Sequence, residues 1–401
     1  MVLINLIYES FKYDIGFYKM MLTLAQLGGS QSADPISLIL NLMFFILIFV
    51  SMFYGQKLQG WKASKTIQTG LDKLKKWNDE CKEILVSDFK EFADKKITQK
   101  DLMLQLEEFM TFVTIGPVSL DPYGIIPKFA HVVDVRDNRF KEEVDRLAPL
   151  ADNVQKYNLE NLVEAAMAID FMYRLIKHFL ILGKKSKSMI LLMQISMQLG
   201  LILGMAKAYY HAAKAFSEGS PIGDGLGPLV AASFLRDVSD GDVEAKEIAK
   251  DTIVQEVEFE DRIIYIVRAK GPGGSVGKPG KAIEILVDEH GEDISLIIMI
   301  DAGLKLSGDK TGSLVIGVGA AIGGLGIEKH YIEHSTTKKS IPIDALICKE
   351  SLENAITTMQ RSITQSVPKF VEKIKMAIRK RTEKGTKVII AGIGNTIGIG
   401  I

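Results

Sequence analysis

The chain has 401 residues, with 49 Lys and Arg balanced by 49 Asp and Glu, 47% hydrophobic residues and 24% charged residues. That is too charged for a polytopic membrane protein and too apolar for a disordered one, and the neutral sum argues against nucleic acid as a partner. Two cysteines, Cys81 and Cys348, leave no disulfide scaffold and no multi-cysteine zinc site.

In chain order, residues 1–34 form an aromatic- and Met-rich N-terminal segment. Residues 35–56 (PISLILNLMFFILIFVSMFYGQ) carry no charge. At about 1.5 Å per residue such a helix crosses a hydrocarbon core of about 30 Å. The expectation is one transmembrane helix. Lys57, Lys62, Lys65, Lys73, Lys75 and Lys76 follow it, so the positive-inside rule places the rest of the chain in the cytoplasm. Residues 57–214 read as a helical stalk and bundle. Within residues 61–111, Ile67, Leu71, Leu74, Trp77, Cys81, Ile84 and Leu85 recur at helical spacing, an amphipathic face that offers a route to oligomerisation. Gly116–Pro127 is a stiff, proline-rich loop. Asn158–Leu182 is an amphipathic helix that Gly183 is expected to cap, and the apolar run Ser188–Ala206 is expected to pack beside it as a buried helix. The alternative for that run is a second span, which would move the C-terminal region across the membrane.

Composition then changes. Of 35 glycines, 24 follow residue 214, whereas 13 of 16 methionines precede it. A boundary in Phe216–Pro221 follows, and residues 215–401 read as an α/β domain. Its elements are a helix at Leu226–Leu235, strands at Thr252–Phe259 and Arg262–Ala269, a helix at Lys281–Glu289, and strands at Ser295–Asp301 and Ser313–Ala320. A helix at Glu328–Lys339, a strand at Ile343–Cys348, a long helix from Ser351 to about Lys384 and a strand at Lys387–Gly392 complete it. Short apolar strands alternating with helices imply a mostly parallel sheet with helices on both faces, and ligands in such sheets sit at the C-terminal strand ends.

Those ends hold the candidate residues. The loop Gly271–Gly280 (GPGGSVGKPG) precedes a helix, and with Gly271, Gly273, Gly274 and the Gly394-Asn395 turn it is a candidate nucleotide or anion cradle. It matches neither GxGxxG nor the P-loop, because Val276 and Pro279 stand where a glycine and a Ser or Thr belong. A second constellation is Gly223-Asp224-Gly225-Leu226-Gly227-Pro228 opening a helix, Asp301-Ala302 closing a strand, and Gly392-Ile393-Gly394-Asn395 closing the last one. These pieces resemble the hydrogenase-maturation endopeptidases in circularly permuted order. The resemblance implies that Asp224 and Asp301 grip a divalent metal, nickel or zinc, with a histidine as third ligand. Gly323–Gly326 occupies the place expected of that histidine; His330 and His334 are the nearest. The architecture as a whole resembles an uncharacterised archaeal family of membrane-anchored proteins, domain of unknown function 1512, which implies no activity.

His330-Tyr331-Ile332-Glu333-His334 also matches HxxEH, in which two histidines one helical turn apart share a metal and Glu333 serves as catalytic base. Glu350 and Glu353 are its downstream candidates for a third ligand. An exposed, solvated helix face explains the same residues without chemistry. The sequence therefore suggests a membrane-anchored, metal-dependent hydrolase acting on a protein or peptide. Its rivals are a non-catalytic membrane-bound scaffold and a nucleotide or anion sensor built on Gly271–Gly280.

Overall fold

A computed structural model describes residues 35–118, 120, 124–239 and 241–400. The N-terminal segment before Pro35 and part of the proline-rich loop lie outside the described residues. The chain divides into two compact units, residues 1–63 and residues 64–401.

The uncharged run lies in α1 (Pro35–Phe92). In the first unit Ile39, Leu40 and the side chains from Leu42 to Leu47 are exposed. In the second unit the same helix buries one face through Ile67, Leu71, Leu74, Cys81, Leu85 and Phe89. The recurrence at three and four residues thus marks a core-facing stripe. The face considered for self-association is occupied within the chain. Helices α2 (Gln99–Phe109), α3 (Ile125–Leu147), α4 (Asn153–Lys185) and α5 (Met189–Ser217) complete the helical region. Asp152 and Gln155 form a capping box at the start of α4.

Two expectations change at the α4–α5 hairpin. Gly183 does not cap α4, which runs on to Lys185; a Cβ on Gly183 would lie 2.6 Å from Leu192 Cδ2, so this glycine lets the two helices approach closely. Nor is Ser188–Ala206 a buried helix. Helix α5 is long and apolar enough to cross a membrane, and only 17% of its most apolar window is buried.

After a 3₁₀ turn at Gly223–Gly225 come α6 (Leu226–Val238), β1 (Ala245–Ala249), β2 (Thr252–Glu258), β3 (Ile263–Ala269), α7 (Pro279–His290), β4 (Ile294–Leu304), β5 (Ser313–Val318), α8 (Ile327–Lys338) and β6 (Ile343–Glu350). Then follow α9 (Leu352–Ile356), α10 (Arg361–Thr364), α11 (Val367–Arg381) and β7 (Lys387–Gly392). The seven strands form one sheet in the order β1-β2-β3-β7-β4-β6-β5. The sheet is mixed. Pairs β3-β7, β7-β4 and β4-β6 are parallel, while β1-β2, β2-β3 and β5-β6 are antiparallel. The expectation of a mostly parallel sheet fails at both edges: β1, short and without an apolar run, is an added strand antiparallel to β2, and the foreseen strands β2 and β5 pair antiparallel with β3 and β6.

Alternation along the central strands feeds two apolar clusters. Ile264, Ile266, Ile298, Ile300, Val388 and Ile390 pack with α6 and α11. Tyr265, Val267, Ile297, Met299, Ile389 and Ala391 pack with α7 and α8. The long helix foreseen from Ser351 is broken into three. Its interruption lets the Thr357 carbonyl accept from Gly223 N (3.2 Å), and Met359 N donate to the Pro221 carbonyl (2.7 Å). That short bridge fixes the turn carrying Asp224.

Candidate active site at the strand ends

Three parallel strands, β7, β4 and β6, finish side by side, and the Gly223–Gly225 turn closes over their ends. The turn can lie there because its glycines have no side chains. A Cβ on Gly223 would fall 2.3 Å from Glu350 Oε2 and 2.2 Å from the Asn354 carbonyl oxygen. On Gly227 it would fall 2.1 Å from the Ile393 carbonyl oxygen and 2.6 Å from that of Ile300. Gly394 adopts φ +136° with its α-carbon against the Asp224 backbone, a conformation that favours glycine. The Gly-Asp-Gly and Gly-Ile-Gly-Asn motifs are therefore two halves of one close backbone contact.

This packing gathers three carboxyl groups: Asp224 from the turn, Asp301 from β4 and Glu350 from the end of β6. Asp224 Oδ2 accepts from Asn395 N (2.8 Å), and Asp301 Oδ1 accepts from Ala302 N (2.8 Å). Glu350 is 1% exposed, and among the described residues no N–H or O–H group donates to its oxygens, which leaves the weak Cys348 thiol as their donor. The Cys348 thiol on the same strand face is its polar neighbour, and it favours the charged form. Burial, and secondarily repulsion from Asp224, pushes Glu350 up to about 7. Burial and then the Asp224 charge push Asp301 up to about 8, with a smaller push from Glu350 and a counteracting hydrogen bond from the Gly323 backbone. Burial also raises Asp224, against the Asn395 hydrogen bond. Neighbouring carboxyls with raised, separated midpoints can hold and exchange protons near neutral pH.

Asn395 does more than cap Asp224. Its Nδ2 donates to Asn161 Oδ1 (3.1 Å), and Asn161 Nδ2 donates to the Gly274 carbonyl (2.6 Å). Asn158, one turn earlier on α4, accepts from Gly274 N (3.1 Å). Thr396 Oγ1 donates toward the carbonyls of Gly273 (2.8 Å) and Ser275 (3.0 Å). The Gly271–Gly280 loop thus acts as a latch between the helical region and the strand-end turn. Its amides are engaged at Gly274, at Gly277 by Ser275 Oγ, and at Lys278 by Thr252 Oγ1. A Cβ on Gly271 would lie 2.2 Å from the Ile399 carbonyl oxygen, and one on Gly273 would lie 2.9 Å from Tyr157 Cδ2. Gly271 and Gly273 thus face protein, whereas Gly274 and Gly277 line a cavity of about 220 Å³ with Lys250 and Lys278. The role of Asn158 and Asn161 escaped the sequence reading; their spacing on one face of a capped helix was the available signal.

His330 and His334 stack on one face of α8, ring centroids 5.5 Å apart. His334 and Glu333 are exposed, and Glu333 sits 3.7 Å from Lys329 Nζ in an i,i+4 pair. The charges acting most strongly on Asp301 are Asp224 and Glu350, not an imidazole. Gly323–Gly326 is exposed, and its contribution to the site is the Gly323 amide. Among the described residues, no three His, Cys, Asp or Glu side chains are grouped to hold a metal ion.

A cavity of about 400 Å³ opens beside the turn, lined by Leu229, Ser233, Arg236, Met359 and Ile399 among others. Met359 and Ile399 also abut Gly225, next to Asp224.

Residues 41–219 match the family described as "Protein of unknown function (DUF1512) N-terminal domain", and residues 222–400 match "Domain of unknown function (DUF1512) C-terminal". No curated protein matches the chain.

Proposed function

We propose, for a chain that belongs to the DUF1512 family and receives no activity from that membership, that it is a membrane-anchored hydrolase whose working groups are Asp224, Asp301 and Glu350. The observation that carries this reading is Glu350: an almost fully buried carboxyl beside two further carboxyls, with only the weak Cys348 thiol as a hydrogen-bond donor. An unpaired buried carboxyl costs folding free energy, so its retention at an edge suited to ligands calls for a chemical use. Within the set, a carboxylate takes a proton from attacking water while a neutral carboxyl gives one to the leaving group. The cavity beside Gly225, in which Leu229, Met359 and Ile399 alternate with Ser233, Thr358 and Arg236, suits a peptide-type substrate. The uncharged helical run of residues 35–56 supports the membrane anchor, with the C-terminal region cytoplasmic by the lysine bias that follows it.

A second reading, in which Asp224, Asp301 and Glu350 hold a divalent cation, requires these carboxyls to draw closer together, since among the described residues no three such side chains are grouped to hold an ion. An all-carboxylate set suits a hard ion better than nickel or zinc, and such an ion would polarise a carbonyl and acidify bound water.

The test is peptide-library cleavage by the full chain in detergent, read by mass spectrometry, beside metal analysis of the same sample. Cleavage with an optimum between about pH 7 and 8, reduced roughly a hundredfold or more in Asp301→Asn and Glu350→Gln, supports the acid–base reading. Stoichiometric metal lost in both variants supports the cation reading. Equal cleavage by wild type and variants, or none by either with no metal, overturns both and leaves a membrane-bound scaffold.

A further inference from the structure

From Phe171 to Ser217 the chain contains no Asp or Glu, while Arg174, Lys177, Lys184, Lys185, Lys187, Lys207 and Lys214 fall within it. This stretch is the second half of α4, the connection, and all of α5. At the connection Lys184, Lys185 and Lys187 are exposed, and none takes part in an ion pair among the described residues. Around them lie exposed apolar side chains: Ile181 and Leu182 on α4, and Ile190, Met193, Met197 and Leu201 along one face of α5. Met197 is 83% exposed. The opposite face of α5 is spoken for, since Leu192 packs on Gly183 of α4 and Leu199 on Gly70 of α1.

Position adds to composition. In the second unit α5 runs beside α1 in the same direction: Leu199 meets Gly70, and Tyr210 stacks on Trp77 at 6.4 Å. Following α5 back from Leu199 to Met189 covers about 15 Å, whereas α1 from Gly70 back to Ser64 covers about 9 Å. The α4–α5 tip therefore projects past the level at which the chain enters this unit. The other end of α5 adjoins the α/β region, where Phe216 shares a core with Ile222 and Ile397.

We infer that the α4–α5 tip is a docking surface for an anionic lipid bilayer, with its apolar side chains in the interface and Lys184, Lys185 and Lys187 on the headgroups. This goes beyond the reading of the strand-end site and does not depend on it. A membrane is the occupant favoured because a cationic rim around an isolated apolar tip matches anionic headgroups over hydrocarbon. Spanning by α5 is disfavoured because one of its faces is packed against α4 and α1, and α4 carries Arg174 and Lys177 within a few turns of the tip. Docking there would hold the helical region against the membrane at a second point besides the uncharged helix.

The test uses the full chain with Ile190→Cys carrying an environment-sensitive fluorophore; the native Cys81 and Cys348 are buried and do not compete for label. The protein is reconstituted into phosphatidylcholine vesicles with or without about one third phosphatidylglycerol. The expected result is a blue-shifted label quenched by lipid-borne quenchers, with the embedded fraction higher in the anionic vesicles. Each Lys→Gln change at 184, 185 or 187 should lower the embedding equilibrium about fivefold. Three results overturn the inference: a label in water in both vesicle types, a label embedded equally regardless of lipid charge and lysines, or a label shielded by crosslinkable contact with a second copy of the chain.

Discussion

Two places in this chain carry residues that a metal or a proton could use, and they differ in how the chain arrives at them. On α8, His330, Glu333 and His334 stand within five residues, on a helix whose outer face is solvated and whose glutamate already has Lys329 for a neighbour. At the strand ends Asp224, Asp301 and Glu350 come from positions up to 126 residues apart, from Asp224 to Glu350, and are pressed together by glycines that leave no room for a methyl group. The first place satisfies a short pattern; the second is constructed by the whole sheet. Proximity in sequence costs the fold nothing and says little. Convergence of buried acids from separate elements is opposed by desolvation and repulsion at every step, so its presence asks for a reason.

The contrast can be broken most forcefully through the glycines. Gly227→Val would drive side-chain carbon into the Ile300 and Ile393 carbonyls, backbone that cannot yield. It should cost more than ~4 kcal/mol and leave little folded protein by thermal melting.

Next in size is the effect of pH. Asp301 has a folded midpoint of about 8 against a normal aspartate value of 3.8. Between those two pH values the folded chain holds a proton that the unfolded chain has released. Its contribution is thus fully present below about pH 4 and is lost as pH rises through about 8. Asp301→Asn should therefore gain stability over wild type as pH rises, by on the order of 3 kcal/mol at pH 9 in urea melts. Unchanged slopes in wild type and variant would remove the buried acid from the account.

Smaller again is the latch. Asn161→Ala strips a partner from both Asn395 and the Gly274 carbonyl, and should cost about 1–3 kcal/mol by chemical denaturation. At the bottom of the scale, His334→Ala and Glu333→Gln should each move stability by less than ~0.5 kcal/mol, because the side chains are exposed. A large effect there would put the helix face back on equal terms with the strand ends.

Much of this arrangement is legible along the chain. Strands β2 to β7 announce themselves as short apolar runs between glycine-rich turns, and the carboxyls Asp224 and Asp301 stand out because each follows or precedes such a turn. What the residues alone withhold is pairing. Nothing in Ala245–Ala249 marks a strand, since only Ile248 and Ala249 of this short edge pack against the core, and without it the first turn of the antiparallel meander is invisible. Glu350 enters the sequence reading as a downstream partner for the His330–His334 helix, because the register that sets it under Gly223 depends on β6 lying beside β4. The break after Ile356 is equally hidden: an amphipathic pattern continues past it, and the interruption is set by hydrogen bonds to Pro221 and Gly223, well over a hundred residues earlier. The exposed face of α5 misleads in the same way, since an apolar run reads as core until the elements that would cover it are known.

The central claim is that these strand-end carboxyls keep protons where ordinary acids have lost them. Its most direct measurement is a carbon-13 NMR titration of Asp and Glu carboxyls in the full chain, with signals assigned by their disappearance in Asp301→Asn and Glu350→Gln. The account predicts midpoints of about 8 for Asp301 and about 7 for Glu350, with the Asp301 midpoint falling in Asp224→Asn. Midpoints for both groups in the ordinary range of about 4 would contradict it.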